Sequence, residues 1–172
     1  MDRSALMGIV LAFLAVLLVL MYLGWRARQR RQASLATPHS APAELGSTIG
    51  SFAGLYVATT TAGNPLDRIA VHGLGFRAKT VVIVANAGVA LQIAGQDDTF
   101  IPVANLRELR RATWTIDRVV EAGGLQLLAW TLGEVRVDSY LRMAQPEAFE
   151  DAIALLLASR PNPATLTESG PS

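Results

Sequence analysis

The 172-residue sequence predicts a mainly β domain closed by one C-terminal α-helix and carried behind an N-terminal transmembrane helix. Three observations lead there. An uncharged apolar run occupies Ala5–Trp25, short alternating or β-branched runs punctuated by Gly, Asn and Pro fill the middle, and the apolar period switches to that of a helix after Pro146.

The run ALMGIVLAFLAVLLVLMYLGW is 21 residues long, about 31 Å as a helix, which matches the hydrocarbon thickness of a bilayer. A cleaved export signal would need a shorter apolar region and small residues at its end. Here bulky Tyr22, Trp25 and Arg26 stand in those places. A soluble core helix of this length would carry a polar stripe, and this one does not. Residues 1–31 are therefore expected to be a membrane anchor with a juxtamembrane arginine cluster. Tyr22 and Trp25 suit the headgroup level, and Arg26, Arg28, Arg30 and Arg31 follow at once. The positive-inside rule then places the N-terminus outside and the C-terminal domain in the cytoplasm, as a single-pass membrane protein.

Composition excludes several classes. With no cysteine, disulfides and thiolate metal sites are ruled out. The chain has 15 basic and 14 acidic residues; setting aside Asp2, Arg3 and the four juxtamembrane arginines leaves 10 against 13, a net of −3 for residues 33–172. Such a domain is no electrostatic partner for nucleic acid.

Residues 32–50 are rich in Ala, Ser, Thr, Pro and Gly and read as a linker, with His39 given no role, and 161–172 read as a disordered tail. Between them, 51–160 form the domain. Strands are expected at Gly54–Thr61, Arg68–Val71, Thr80–Val84, Val89–Ala94, Thr99–Val103, Trp114–Asp117, Leu125–Leu132 and Val135–Leu141. Pro102 demotes its strand to an edge. In the last segment Glu147, Glu150 and Asp151 favour the helix start, and Phe149, Ile153, Leu156 and Leu157 share one stripe.

About seven strands followed by one helix is the order of the pleckstrin-homology (PH) superfold, a bent β-barrel capped by its C-terminal α-helix, and by pattern alone equally that of another small β-barrel or sandwich carrying a terminal helix. Four segments, GLYVATTTAGNPLDRI, HGLGFRAK, IPVANLR and LAWTLGEVRVDSYLR, resemble a family of actinobacterial membrane proteins with one N-terminal span and a bacterial PH-like domain. Members of that family are often encoded among pyrimidine-biosynthesis genes and loosely labelled as transporters or export proteins. One helix cannot line a transport path by itself, so the resemblance implies at most an accessory role in transport.

The sequence offers little to chemistry. The domain's only histidine, His72, sits beside a glycine turn and lacks an evident nucleophile, although a cleft gathering it with two carboxylates would favour an enzyme. Asp97-Asp98 reads as a hairpin tip, no cofactor is expected, and Gly73-x-Gly75 lacks the rest of a dinucleotide fingerprint. Those glycines are expected to turn the chain so that Phe76 returns to the core, and Trp114 and Trp130 are expected in the core. The loop after the first strand carries no basic cluster, so a phosphoinositide motif is absent. Arg107, Arg110 and Arg111 read as a charged strand edge rather than a lipid-facing patch.

Matching polar residues in turns or near strand ends, Thr59, Thr60, Arg68, Arg77 and Arg142, are the candidate recognition surface. The expectation is a non-enzymatic binding or scaffolding module whose partners are the lipid bilayer and a membrane-associated protein. The alternative is an accessory subunit or regulator of a transport system linked to pyrimidine metabolism, with Gly8, Ala12 and Ala15 as a helix-packing face.

Overall fold

The computed structural model describes residues 3–42, 44–112 and 124–160. The chain divides into two units, residues 1–34 and 35–172. The first is helix α1, Arg3–Gln32, in which none of the side chains is buried. Its exposed large apolar residues run without a break in kind from Leu6 to Trp25. By length and composition the helix can cross a membrane.

The second unit is a seven-stranded antiparallel sheet and a helix: β1 Thr48–Thr61, β2 Ala78–Ala85, β3 Gly88–Ile93, β4 Thr99–Pro102, β5 Leu106–Ala112, β6 Leu125–Leu132, β7 Val135–Met143 and α2 Pro146–Ala158. The strand order is β4-β3-β2-β1-β7-β6-β5. Strand β1 joins the two halves: Thr48–Tyr56 pair with β2, and Gly54–Thr61 pair with β7. Strands β4 and β5 are the two ends of this order, yet only residues 103–105 separate them in the chain. That connection is short enough only if the sheet curls and brings its ends together, as in a bent barrel.

The core lies inside the curl. Tyr56, Val82, Val84, Leu91, Ile101, Leu128, Trp130, Val137 and Leu141 line it. Helix α2 closes it with Phe149, Ile153 and Leu156, and Phe149 meets Phe52 edge-on at 5.6 Å. This is the stripe expected from the helical period, and Trp130 is in the core as expected.

Three local expectations change. Residues 68–71 contribute only the isolated bridge Thr60–Arg68, whereas the charged strand edge read at LRELRR is part of the full strand β5. Strand β1 begins at Thr48, and Leu35 packs against the core while His39 bridges Phe100, so residues 35–50 dress the domain rather than merely linking it. Phe76 is 60% exposed; Leu74 makes the return to the core instead. The expected strand at Trp114–Asp117 and the tail lie outside the described residues.

Candidate functional site

The expected recognition residues fall into three groups. Thr59 and Thr60 are buried and do not form a surface. For Thr59 the reason is the irregularity in β1 between Tyr56 and Ala58. A bulge shifts the alternation by one residue, so the inward series that includes Phe52 and Tyr56 resumes at Thr59.

Thr59 sits in a buried chain of hydrogen bonds. Trp130 Nε1 lies 2.8 Å from Ser139 Oγ, Ser139 Oγ 2.6 Å from Thr59 Oγ1, Thr59 Oγ1 2.6 Å from the Tyr56 hydroxyl, and that hydroxyl 2.8 Å from the Leu74 carbonyl. An indole N–H can only donate and a carbonyl can only accept. Both ends are thereby fixed, and every hydroxyl between them must donate toward Leu74. Burial pushes the Tyr56 phenol well above its ordinary range, against smaller opposing effects from the Thr59 hydrogen bond and the Arg68 charge. Tyr140 is also raised, chiefly by burial, with the Thr60 hydrogen bond opposing it.

The connection between β1 and β2 exposes its tip at residues 62–66, Leu66 among them, but is held down between Asp67 and Gly75. Ile69 and Leu74 are fully buried. Thr61 Oγ1 donates to Asp67 at 2.8 Å, the Ile69 amide to Thr59 O at 2.8 Å, and Arg68 to Gly75 O at 3.3 Å. Arg68 therefore braces its own loop. Gly73, at φ +73°, passes so close to Gln96 that a Cβ would collide with it.

Arg77 and Arg142 are exposed. Arg142 pairs in register with Leu55, whose other neighbour is Lys79. Lys79, Leu55 and Arg142 thus form one row across three strands beside a shallow groove that also contains Ala53, Val81 and Met143. Lys79 and the groove were missed as a site because only strand register brings these residues together. Gly54 keeps the strands close there, since a Cβ would come within 2.6 Å of the Arg142 carbonyl oxygen.

His72 does share a cleft of about 220 Å³ with Asp97 and Asp98. Its Nε2 lies 3.1 Å from the Leu35 carbonyl and must carry the proton that this acceptor takes. Asp98 accepts from Gln92 at 3.1 Å. Among the described residues no ion pair joins His72 to either carboxylate, and no group of His, Cys, Asp and Glu is arranged to hold a metal ion. The described bond gives His72 the role of tying residue 35 to the β1–β2 connection.

The arginines of β5 stand on the sheet's edge, where Arg107 donates to Thr131, Arg110 pairs with Glu108 at 3.1 Å and Arg111 holds Glu150 through three hydrogen bonds. The Arg111 guanidinium is held further above its ordinary range, first by its hydrogen bonds with Glu150 and next by that carboxylate's charge. These partners fit a charge-protected edge better than a lipid-facing patch. In α1, Tyr22 and Trp25 lie 6.1 Å apart between ring centres.

A family model described as bacterial PH domain-like matches residues 35–156. No curated protein matches the chain. Among solved structures, the chain is similar to the crystal structure of the C-terminal domain of an unknown protein from Leishmania infantum, at 6% identity and a TM-score of 0.44, covering 81% of this chain and 99% of that one.

Proposed function

The chain belongs to the bacterial PH domain-like family, and on that footing we propose that it is a membrane-anchored, non-catalytic binding module held at the cytoplasmic face of the plasma membrane. The observation that carries this reading is the direct succession of a helix long and apolar enough to cross a membrane and a binding-type domain that starts three residues after it. Tyr22 and Trp25 mark the headgroup level, and Arg26, Arg28, Arg30 and Arg31 favour the cytoplasmic side. Anchoring holds the domain at a high effective concentration for other membrane residents, so a weak side-chain surface is sufficient for binding.

The partner we infer is a membrane-associated protein, recognised by the exposed cations and groove rather than by the buried threonines. Lipid contact is assigned to α1 and its flank, because the β1–β2 connection is folded onto the core and lacks a basic cluster. Reporter fusions test the orientation: a C-terminal reporter should be active only as a cytoplasmic protein and an N-terminal one only when exported. An exported C-terminal reporter would overturn the assignment.

A further inference from the structure

Two exposed surfaces of the domain complement each other. The first is the groove of about 610 Å³ on the outer face of β2, β1 and β7. Its apolar part is Ala53, Leu55 and Val81, and Lys79 and Arg142 flank Leu55. Two strand spacings separate these cations, about 10 Å. All three strands are interior to the sheet. No backbone edge is free there, so an occupant must dock through side chains as a helix does in a groove, not by adding a strand.

The second surface is the outer side of α2. The run Ala152–Ala158 is apolar throughout, although the core uses only Phe149, Ala152, Ile153 and Leu156, with Leu157 partly buried. Asp151, Ala154, Leu155 and Ala158 face outward at spacings i, i+3, i+4 and i+7, and Leu155 is 63% exposed. A helix apolar on both sides calls for cover on both sides. Glu150 is taken by Arg111, which also feels the charge of Glu147. Asp151 stands at the edge of the exposed apolar stripe, and among the described residues no ion pair holds it.

We infer that the occupant of the groove is a second copy of this chain, which inserts Leu155 beside Val81 and Leu55 while Asp151 faces Lys79 and Arg142. Charge selects the pairing: the groove's rim is basic and the helix's rim is acidic. The β7 side of the groove, Arg142–Ala144, runs into α2 through Gln145 alone. The two surfaces thus lie on consecutive elements, and each copy presents both, so a two-fold pair can make the contact twice. The interface is small, and co-anchoring in one membrane compensates by raising the local concentration.

The absence of cysteine allows a clean test. Differently tagged full-length copies carrying Val81→Cys and Leu155→Cys are co-expressed, and isolated membranes are oxidised. The expected result is a mixed disulfide in clear excess over either same-site disulfide. Arg142→Glu in the Val81→Cys copy should lower the yield severalfold, and Asp151→Arg in the other copy should restore it. A yield equal to random same-site pairing, or one unmoved by both charge changes, overturns the inference. Soluble maleimide labelling of Val81→Cys separates lipid from protein cover: labelling should rise when every copy carries Leu155→Asp, whereas protection that persists assigns the groove to lipid and overturns self-pairing. The mixed-disulfide readout does not depend on which side of the membrane the domain occupies, so its failure is distinct from failure of the orientation.

Discussion

Ser139→Ala interrupts the buried chain at a point where the loss cannot be repaired. Ser139 is fully buried, and its oxygen is the described acceptor for the Trp130 indole N–H at 2.8 Å. Removing it leaves a donor whose direction is fixed by a ring packed in the core, and an unsatisfied buried donor of that kind costs about 1–3 kcal/mol. Thr59 keeps its bond to Tyr56, and Tyr56 keeps Leu74. The expected loss is therefore about 2 kcal/mol, from one orphaned group rather than four. Thr59→Val breaks the same chain one step later and leaves the Ser139 hydroxyl, which can rotate, so it should cost less, about 1 kcal/mol.

Urea unfolding of a fragment covering residues 35–160, followed by far-ultraviolet dichroism, measures both. With a slope of about 2 kcal/mol/M, the Ser139→Ala midpoint should fall by about 1 M. The double variant discriminates further. Both changes interrupt one directional series, so together they should cost less than their sum by more than about 0.5 kcal/mol. A Ser139→Ala cost below about 0.5 kcal/mol, or strict additivity, would refute a chain driven from the indole to the Leu74 carbonyl.

The raised phenols of Tyr56 and Tyr140 make stability fall in alkali. A folded pKa above the unfolded value gives stabilisation that is complete below the ordinary tyrosine value of about 10 and is lost as the pH rises beyond it. Midpoints should thus stay flat up to about pH 10 and then decline, with a shallower decline in Tyr56→Phe; equal slopes would contradict the burial argument. The domain boundary gives another expectation: a fragment from residue 35 should be more stable to urea than one from residue 51, which lacks Leu35, the His39 bridge and the first turn of β1 pairing. Equal midpoints would show that residues 35–50 contribute nothing to the fold.

The sequence makes legible those elements whose apolar residues repeat with a simple period. Val89, Leu91 and Ile93 in β3 and Val135 and Val137 in β7 alternate with smaller or polar neighbours, β2 is a continuous apolar run, and α2 shows its stripe, so their places in the chain follow from pattern alone, although burial in β3 and β7 is nearly continuous. Strand β5 hides because an edge strand buries little: of Leu106–Ala112 only Leu106 is fully buried and Arg107, Glu108, Arg110 and Arg111 are exposed. Strand β1 begins unseen because Thr-Ile-Gly-Ser carries almost no burial signal. At the site, the error over Thr59 is one of parity. Threonines at the end of a strand suggest a surface, and only the bulge after Tyr56 turns Thr59 inward to meet Ser139, 80 residues away in sequence.

The same bulge explains why this domain's binding surface does not lie where its sequence first suggests. Turning Thr59 inward gives the β1–β2 connection a set of fixed anchors: Thr59 exchanges backbone hydrogen bonds with Ile69 and Leu74, and Tyr56 adds the Leu74 carbonyl. With Ile69 and Leu74 fully buried, the connection is a part of the core's wall. A loop so anchored is poorly suited to close around a ligand, because opening it would expose two large apolar side chains at about 1.5–3 kcal/mol each. Recognition then falls to surfaces that need no rearrangement. The outer face of β2, β1 and β7 is such a surface: strand register sets the backbone positions of Lys79, Leu55 and Arg142, and Gly54 keeps the strands close, whether or not a partner is present.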